Sequence, residues 1–222
     1  MRGNRFAADW LPSVVFAALA LVFGVVYACI PGEKVYTVYL QLLGGAVAPF
    51  VFPVWGALTK KRVPPVLAVI VGCLVFFGIH LGKAANFYVY VPHYDKVLHT
   101  NFGLVGAALV YTLLVCWGGD KLKPAGMIII VVLAVLGLGA AWELVEYFCG
   151  MFFNEDPQNV WAAVDKILAA GGDKVINPLW DTMQDLLVTI LGSCLFFIAY
   201  LTDRAFGGKL FKKIFTVQKN RL

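Results

Sequence analysis

Six long runs of apolar residues, separated by polar segments, dominate the pattern of the chain. A transmembrane helix needs about 20 predominantly apolar residues to cross a hydrocarbon core of roughly 30 Å, and each run has about that length. We therefore predict an all-α polytopic membrane bundle in which residues 1–222 form one integral membrane domain. The predicted helices cover residues 11–29, 39–58, 64–82, 97–117, 124–148 and 182–202.

Two parts of this pattern are irregular. The second predicted helix contains Pro49 and Pro53, so we expect it to be kinked or broken near its middle. The long connection at residues 151–178 contains a stretch, residues 159–170, with apolar side chains at helical spacing. This stretch predicts a short helix in the membrane interface, which either covers a site as a lid or serves only as a connection.

The composition supports a membrane location. The chain is 61% hydrophobic and 14% charged, whereas soluble domains have about 45–50% apolar and about 25% charged residues. Such hydrophobicity also excludes a disordered chain. The five cysteines show no metal-type spacing, so we expect them to pack in the bundle without a disulfide framework.

The basic residues indicate an orientation. If the N-terminus is cytoplasmic, thirteen lysines and arginines fall on the cytoplasmic side and five lysines fall on the opposite side. Because basic residues concentrate in cytoplasmic loops, we predict that both termini are cytoplasmic. The basic tail, residues 203–222, then acts as a topology determinant that contacts lipid headgroups, and we expect no nucleic-acid partner.

Carboxylates and a histidine gather at the non-cytoplasmic ends of the last three predicted helices. Within each helix they are three or four residues apart and therefore share one face. Small residues continue these faces, which is typical of close helix contacts in membranes, so we expect the carboxylates to point into the bundle. The polar group is Asp95, His99, Glu143, Glu146, Asp181 and Asp185, and the small residues are Gly103, Gly106, Gly139, Thr189 and Gly192.

This polar group has the donor atoms of a metal site. Carboxylate oxygens suit Mg²⁺, Mn²⁺ or Ca²⁺, and an imidazole admits Zn²⁺. We therefore predict a divalent metal ion with all six residues as candidate ligands, and Glu143, Asp185 and His99 as candidate catalytic residues. Without a metal, the same residues suit general acid–base chemistry. Three further residues are candidates for supporting the ligands: His80, Gln184 and Trp142.

Structural roles remain open for individual residues. Asp95 and Asp181 also suit N-terminal helix caps. Lys96 suits a surface ion pair with one of them, a contact that contributes little to stability. His80 by itself is typical of a hydrogen-bonded histidine at the membrane interface.

Three motifs, in this order, resemble the bacterial inner-membrane proteins typified by YjdF. They are Asp95-Lys96-x-x-His99, Trp142-Glu143-x-x-Glu146, and Asp181-Thr182-x-x-Asp185 followed by Gly192. The first motif is also similar to the VanZ-like group, named for a protein linked to low-level teicoplanin resistance. The resemblance covers roughly residues 78–192 and implies six helices in a bacterial plasma membrane. It singles out the same polar residues and supplies no substrate.

Three functions fit these observations. The first is a metal-dependent hydrolase or transferase that acts on a lipid or lipid-linked envelope precursor at the outer leaflet. The second is a cation- or proton-coupled transporter or ion-binding module, although such sites more often lie near the membrane midplane between repeats. The third is a non-catalytic accessory protein of the envelope, in which the acidic residues only hold helix ends together.

Overall fold

The computed structural model describes residues 2–29, 36–153, 156–158, 160, 165, 169, 179–215 and 218–219. Most of the predicted interfacial helix at residues 159–170 lies outside the described residues. Within them, the regular secondary structure is helical apart from a two-residue antiparallel bridge between Lys61–Arg62 and Gln218–Lys219. The helices are α1 Arg2–Cys29, α2 Tyr36–Val47, α3 Val51–Thr59, α4 Pro65–Val75, α5 Phe87–Tyr90, α6 Tyr94–Cys116, α7 Pro124–Phe153, α8 Trp180–Ala205 and α9 Lys209–Phe215.

Six stretches of the described chain are long and apolar enough to cross a membrane, which confirms the predicted number. Several helices run past the predicted ends, because polar residues at an interface end a hydropathy run without ending a helix. The clearest case is α6, which begins at Tyr94 and not at residue 97, and so includes the polar Asp95 and Lys96. α7 also continues to Phe153 and not to residue 148. The six stretches are Asp9–Cys29, Tyr36–Thr59, Pro65–Ala84, Tyr94–Cys116, Pro124–Phe153 and Trp180–Ala205.

The second of these stretches is interrupted where the prolines predict it. A 3₁₀ turn at Ala48–Phe50 separates α2 from α3. Proline lacks the N–H that would continue the helical hydrogen bonds. The carbonyl oxygen of the buried Pro49 accepts a hydrogen bond of 2.8 Å from the hydroxyl of Ser13 on α1. A side chain of α1 therefore satisfies a backbone carbonyl that the interrupted helix leaves unpaired.

The third stretch changes its helical form in a way that the sequence did not indicate. α4 ends at Val75 and continues as a nine-residue π-helix, Phe76–Ala84. A π-helix has wider turns than an α-helix, with hydrogen bonds from residue i to i+5. The carbonyl of Phe77 accepts a hydrogen bond of 2.8 Å from the hydroxyl of Tyr94, so the π-helix is joined to the start of α6.

The close packing of α6 against α8 positions the polar group. A side chain on Gly103 of α6 would collide with the carbonyl of Thr189 on α8, and one on Gly192 of α8 would collide with the carbonyl of Thr100 on α6. The two backbones touch at both places, as small residues allow in membrane bundles. The predicted contacts of Gly103 and Gly192 are thereby confirmed.

We predict that Gly103→Ala lowers the stability of the bundle. The added methyl group meets a backbone carbonyl that has no room to move, and overpacking of this kind costs about 1–3 kcal/mol. The measurement is the melting temperature of the protein in detergent. Gly137→Ala on α7 is the matched control, because no atom lies within 4 Å of its added methyl group. Equal melting temperatures for the two variants would contradict the packing described here.

Candidate functional site

The polar group lies where α6 and α8 begin and α7 approaches its end. α6 and α8 run parallel, since residues 99–103 of α6 contact residues 189–193 of α8 in the same order. The positive ends of both helix dipoles therefore meet here, which favours carboxylates in the first turns. Asp95 and Asp181 occupy those first turns. We call this end of the bundle the acidic end.

Lys96 is the centre of the group. Its ammonium donates to Asp181 Oδ1 at 2.6 Å, to Asp185 Oδ1 at 2.7 Å and to Asp95 Oδ2 at 3.1 Å. The Lys96 side chain is 20% exposed and Asp185 is 1% exposed. The expectation of a surface ion pair is therefore wrong for Lys96: the lysine joins α6 to α8 and compensates a buried carboxylate.

His99 lies one turn deeper on α6 and faces two of the same carboxylates. Its Nε2 atom is 3.6 Å from Asp95 Oδ1 and 3.9 Å from Asp185 Oδ1. One donor atom from each of these three residues lies within 4.8 Å of the other two. Histidine and carboxylate donors at this spacing can bind a divalent cation. Of the six predicted ligands, these three form the compact set.

Glu143 reaches the group from α7 and is buried, with 6% of its surface exposed. The amide of Gln158 donates to the Glu143 backbone carbonyl at 3.1 Å and to Glu143 Oε2 at 3.4 Å. The same amide lies 3.4 Å from the hydroxyl of Thr182 on α8. Glu143 Oε1 has no hydrogen-bond partner among the described residues. An unpaired buried carboxylate oxygen is unusual and marks a group with capacity for a proton or a ligand.

Glu146 has a different partner. Its Oε1 atom accepts a hydrogen bond of 2.9 Å from the indole of Trp142, one turn earlier on α7. Trp142 is exposed and Glu146 is partly buried. The two residues thus form a local pair on α7, beside the ion pairs that Lys96 makes and not among them.

The structure does not bring His80 into the polar group. His80 is 2% exposed and lies within the π-helix, where its ring stacks on Phe76 and meets the edge of Phe23 on α1. Its Nδ1 atom is 3.4 Å from the carbonyl of Val75, and its Nε2 atom has no partner among the described residues. Gln184 precedes Asp185 on α8 and is partly buried.

Tyr88 is a further residue near the acidic end, and it was not among the predicted site residues. It belongs to the short helix α5, outside the six spans, and its ring packs against Gly82 and the edge of Tyr94. Burial raises the pKa of the Tyr88 hydroxyl, and the negative potential of Asp95 and Glu146 raises it further. The hydroxyl therefore stays protonated near neutral pH and remains a hydrogen-bond donor next to the carboxylates.

Lys96 and Gln158 were also missed as members of the site, for different reasons. Lys96 was recoverable from charge balance, because five carboxylates at one membrane depth require a nearby cation. Consecutive residues of an α-helix are separated by about 100° of rotation about the axis. The lysine side chain is long enough to reach across that angle to the face on which Asp95 lies. Gln158 lies in the connection after α7, and no local pattern links that position to Glu143.

We predict that Lys96→Met destabilises the protein strongly while Lys96→Arg does not. Methionine has a similar length but leaves the buried Asp185 carboxylate without its cation, and breaking a buried pair in this way costs about 3–5 kcal/mol. The measurement is the free energy of unfolding in mixed detergent micelles. Lys123→Met, an exposed position at the opposite end of α7, is the control. A Lys96→Met protein as stable as this control would refute the central role of the lysine.

Comparison with known proteins identifies the family. Residues 12–204 match the family described as "Predicted membrane protein (DUF2238)". No curated protein and no solved structure matches the chain. Since the match covers most of the 222 residues, the chain belongs to this family of predicted membrane proteins.

Proposed function

We propose that the protein binds a divalent cation at Asp95, His99 and Asp185. We further propose that it uses the cation to hydrolyse or transfer part of a lipid or lipid-linked envelope precursor. The observation that carries the proposal is the compact set of three donor atoms, within 4.8 Å of one another and largely buried. Two carboxylates and one imidazole suit Mn²⁺ or Zn²⁺, and a site richer in oxygen donors suits Mg²⁺ or Ca²⁺.

The charge balance of the acidic end supports a further cation. Lys96 pairs with three of the five carboxylates, Asp95, Asp181 and Asp185, and clustered carboxylates either bind cations or hold protons. A metal ion at such a site supplies Lewis-acid chemistry and activates water. Lys96 adds a second positive charge that suits an anionic substrate group such as a phosphate.

Glu143 is the residue that we assign to proton transfer. Its Oε1 atom is unpaired among the described residues, while Gln158 holds Oε2 and the backbone carbonyl in place. A positioned carboxylate with a free oxygen is suited to accept a proton from water or from a substrate hydroxyl. Asp181, paired with Lys96 at 2.6 Å, then acts by holding the ammonium in position.

An apolar surface beside the site supports a substrate with a lipid tail. α7 continues for ten residues beyond Glu143, which is about 15 Å at 1.5 Å per residue. The carboxylates therefore lie beside the apolar surface of α7 and not beyond its end. A molecule with an anionic head and an apolar chain fits both features. The exposed residues of this last part of α7 include Tyr147, Phe148, Met151, Phe152 and Phe153.

The order of the three motifs supports a place within the YjdF-like proteins, with the VanZ-like group as a more distant relation. The excess of basic residues at one end supports a bacterial plasma membrane location with both termini in the cytoplasm. In that orientation the acidic end meets lipid-linked precursors at the outer leaflet.

A second candidate is a structural role, or an ion-binding role without chemistry. Lys96 already lies within 3.1 Å of three aspartates, so a cation of the protein itself compensates them. The group would then hold the ends of α6 and α8 together in an accessory protein. Metal content separates the structural role from a metal site, and a change in the membrane lipids separates chemistry from ion binding alone.

We predict that the purified protein binds a stoichiometric divalent metal ion after equilibration with Mn²⁺ or Zn²⁺. Asp185→Asn and His99→Ala each remove a donor of the compact set and abolish binding. Glu146→Gln retains it, because the Glu146 carboxylate is bonded to Trp142. The measurement is elemental analysis of the protein in detergent. Absence of metal would favour the structural role, and loss of metal in Glu146→Gln alone would contradict the proposed set of ligands.

We also predict a chemical consequence in the membrane. Cells that lack the protein accumulate an amphiphilic envelope precursor, detected by mass spectrometry of extracted lipids. Asp185→Asn fails to restore the normal lipid profile although it is inserted in the membrane, whereas Glu146→Gln restores it. An unchanged lipid profile in cells without the protein would overturn the proposed reaction.

A further inference from the structure

The end of the bundle opposite the acidic end is closed by a helix that folds back onto it. α9 follows α8 after a short turn and buries Phe211 and Phe215. The ring of Phe211 lies 5.3 Å from that of Phe196 on α8 and 6.0 Å from that of Tyr111 on α6. These aromatic contacts fix which face of α9 points into the protein.

The start of α9 is capped by α8. The carboxylate of Asp203 accepts hydrogen bonds from the backbone N–H groups of Leu210 and Phe211, at 3.1 and 3.0 Å. A carboxylate at this position satisfies amide groups that a helix start leaves unpaired. The cap and the aromatic contacts together hold α9 in a defined orientation against the bundle.

This orientation leaves a basic face outside. Lys209, Lys212 and Lys213 are spaced as i, i+3 and i+4, so they share one side of α9, and all three are exposed. Exposed Lys60 lies at the end of α3, one residue before the β bridge that pairs Lys61 with Lys219 of the tail. We call the four exposed lysines, Lys60, Lys209, Lys212 and Lys213, the basic surface.

The basic surface lies just outside two membrane-spanning stretches. Lys60 directly follows the second membrane-spanning stretch, which ends at Thr59, and Lys209 lies four residues after the sixth, which ends at Ala205. Lysines immediately outside a membrane span are placed to meet the phosphates of anionic lipids. The three lysines of α9 share one helix face, so they also repel one another, and an anion relieves that repulsion.

Apolar residues next to these lysines indicate a lipid and not a nucleic acid. Phe206 is 86% exposed and Leu210 is 55% exposed, and both flank Lys209 along the chain. Basic residues mixed with exposed apolar ones suit the boundary between headgroups and acyl chains. A surface for nucleic acid has no need of exposed apolar side chains at a membrane edge.

We propose that the basic surface is a binding site for the phosphate of an anionic glycerophospholipid. The lysines of α9 contact the headgroup while Phe206 and Leu210 contact the start of the acyl chains. Bound lipid then adds to the contacts that hold α9 against the end of the bundle. This site is separate from the acidic end and does not depend on metal binding there.

The test compares phosphatidylglycerol with phosphatidylcholine of the same acyl chains, bound to the full-length protein in detergent micelles and measured by native mass spectrometry. The wild type binds phosphatidylglycerol more tightly. The triple variant Lys209→Gln/Lys212→Gln/Lys213→Gln loses affinity on the order of a hundredfold, at about 1 kcal/mol for each lysine near a lipid surface. The triple arginine variant at the same positions keeps the positive charge and the preference.

Three results would overturn the proposal: equal binding of the two lipids by the wild type, unchanged affinity in the triple glutamine variant, or tighter binding of a single-stranded RNA oligonucleotide than of phosphatidylglycerol. All three lysines are exposed, so we expect the variants to keep the wild-type melting temperature. If the triple variant does not fold, Lys212→Gln/Lys213→Gln gives the same comparison with a smaller loss of affinity.

Discussion

The ion pairs of Lys96 are the interaction on which the acidic end of this protein depends. One ammonium lies 2.6 Å from Asp181 and 2.7 Å from Asp185, and so joins the first turns of two membrane helices. A buried carboxylate such as Asp185 is costly in an apolar environment unless a cation or a proton accompanies it. The lysine therefore makes it possible for several acidic residues to gather in one place, where a metal ion or a substrate can meet them.

Helix packing makes this interaction possible. Gly103 and Gly192 let the backbones of α6 and α8 touch at two points, about one to two turns below the ion pairs. Because the two helices are parallel and in contact there, their first turns cannot separate, and their side chains face one another. Charge and packing thus support each other: the glycines bring the helices together, and Lys96 compensates the carboxylates that this proximity would otherwise drive apart.

The number of spans, the break at Pro49 and the small-residue contacts could all be predicted from the sequence, because each follows from local spacing and residue size. Long-range choices could not. Nothing local indicates that Gln158 reaches Glu143, or that the π-helix directs His80 toward Phe23 on α1. The tail was expected to be a basic determinant of orientation. Two aromatic residues of the tail, Phe211 and Phe215, also pack it against the bundle. Their partners, Tyr111 and Phe196, lie on other helices, so this contact could not be predicted from the tail sequence alone.

The most direct test of the account is an exchange of charges between the two helices. Lys96→Asp and Asp185→Lys are each expected to lower the free energy of unfolding in detergent, since each places like charges together. The double variant restores an opposite pair across the same interface, and we expect it to recover a large part of the lost stability, as a coupled pair does. Losses that simply add in the double variant would show that the two residues do not interact, and would contradict the central role of this ion pair.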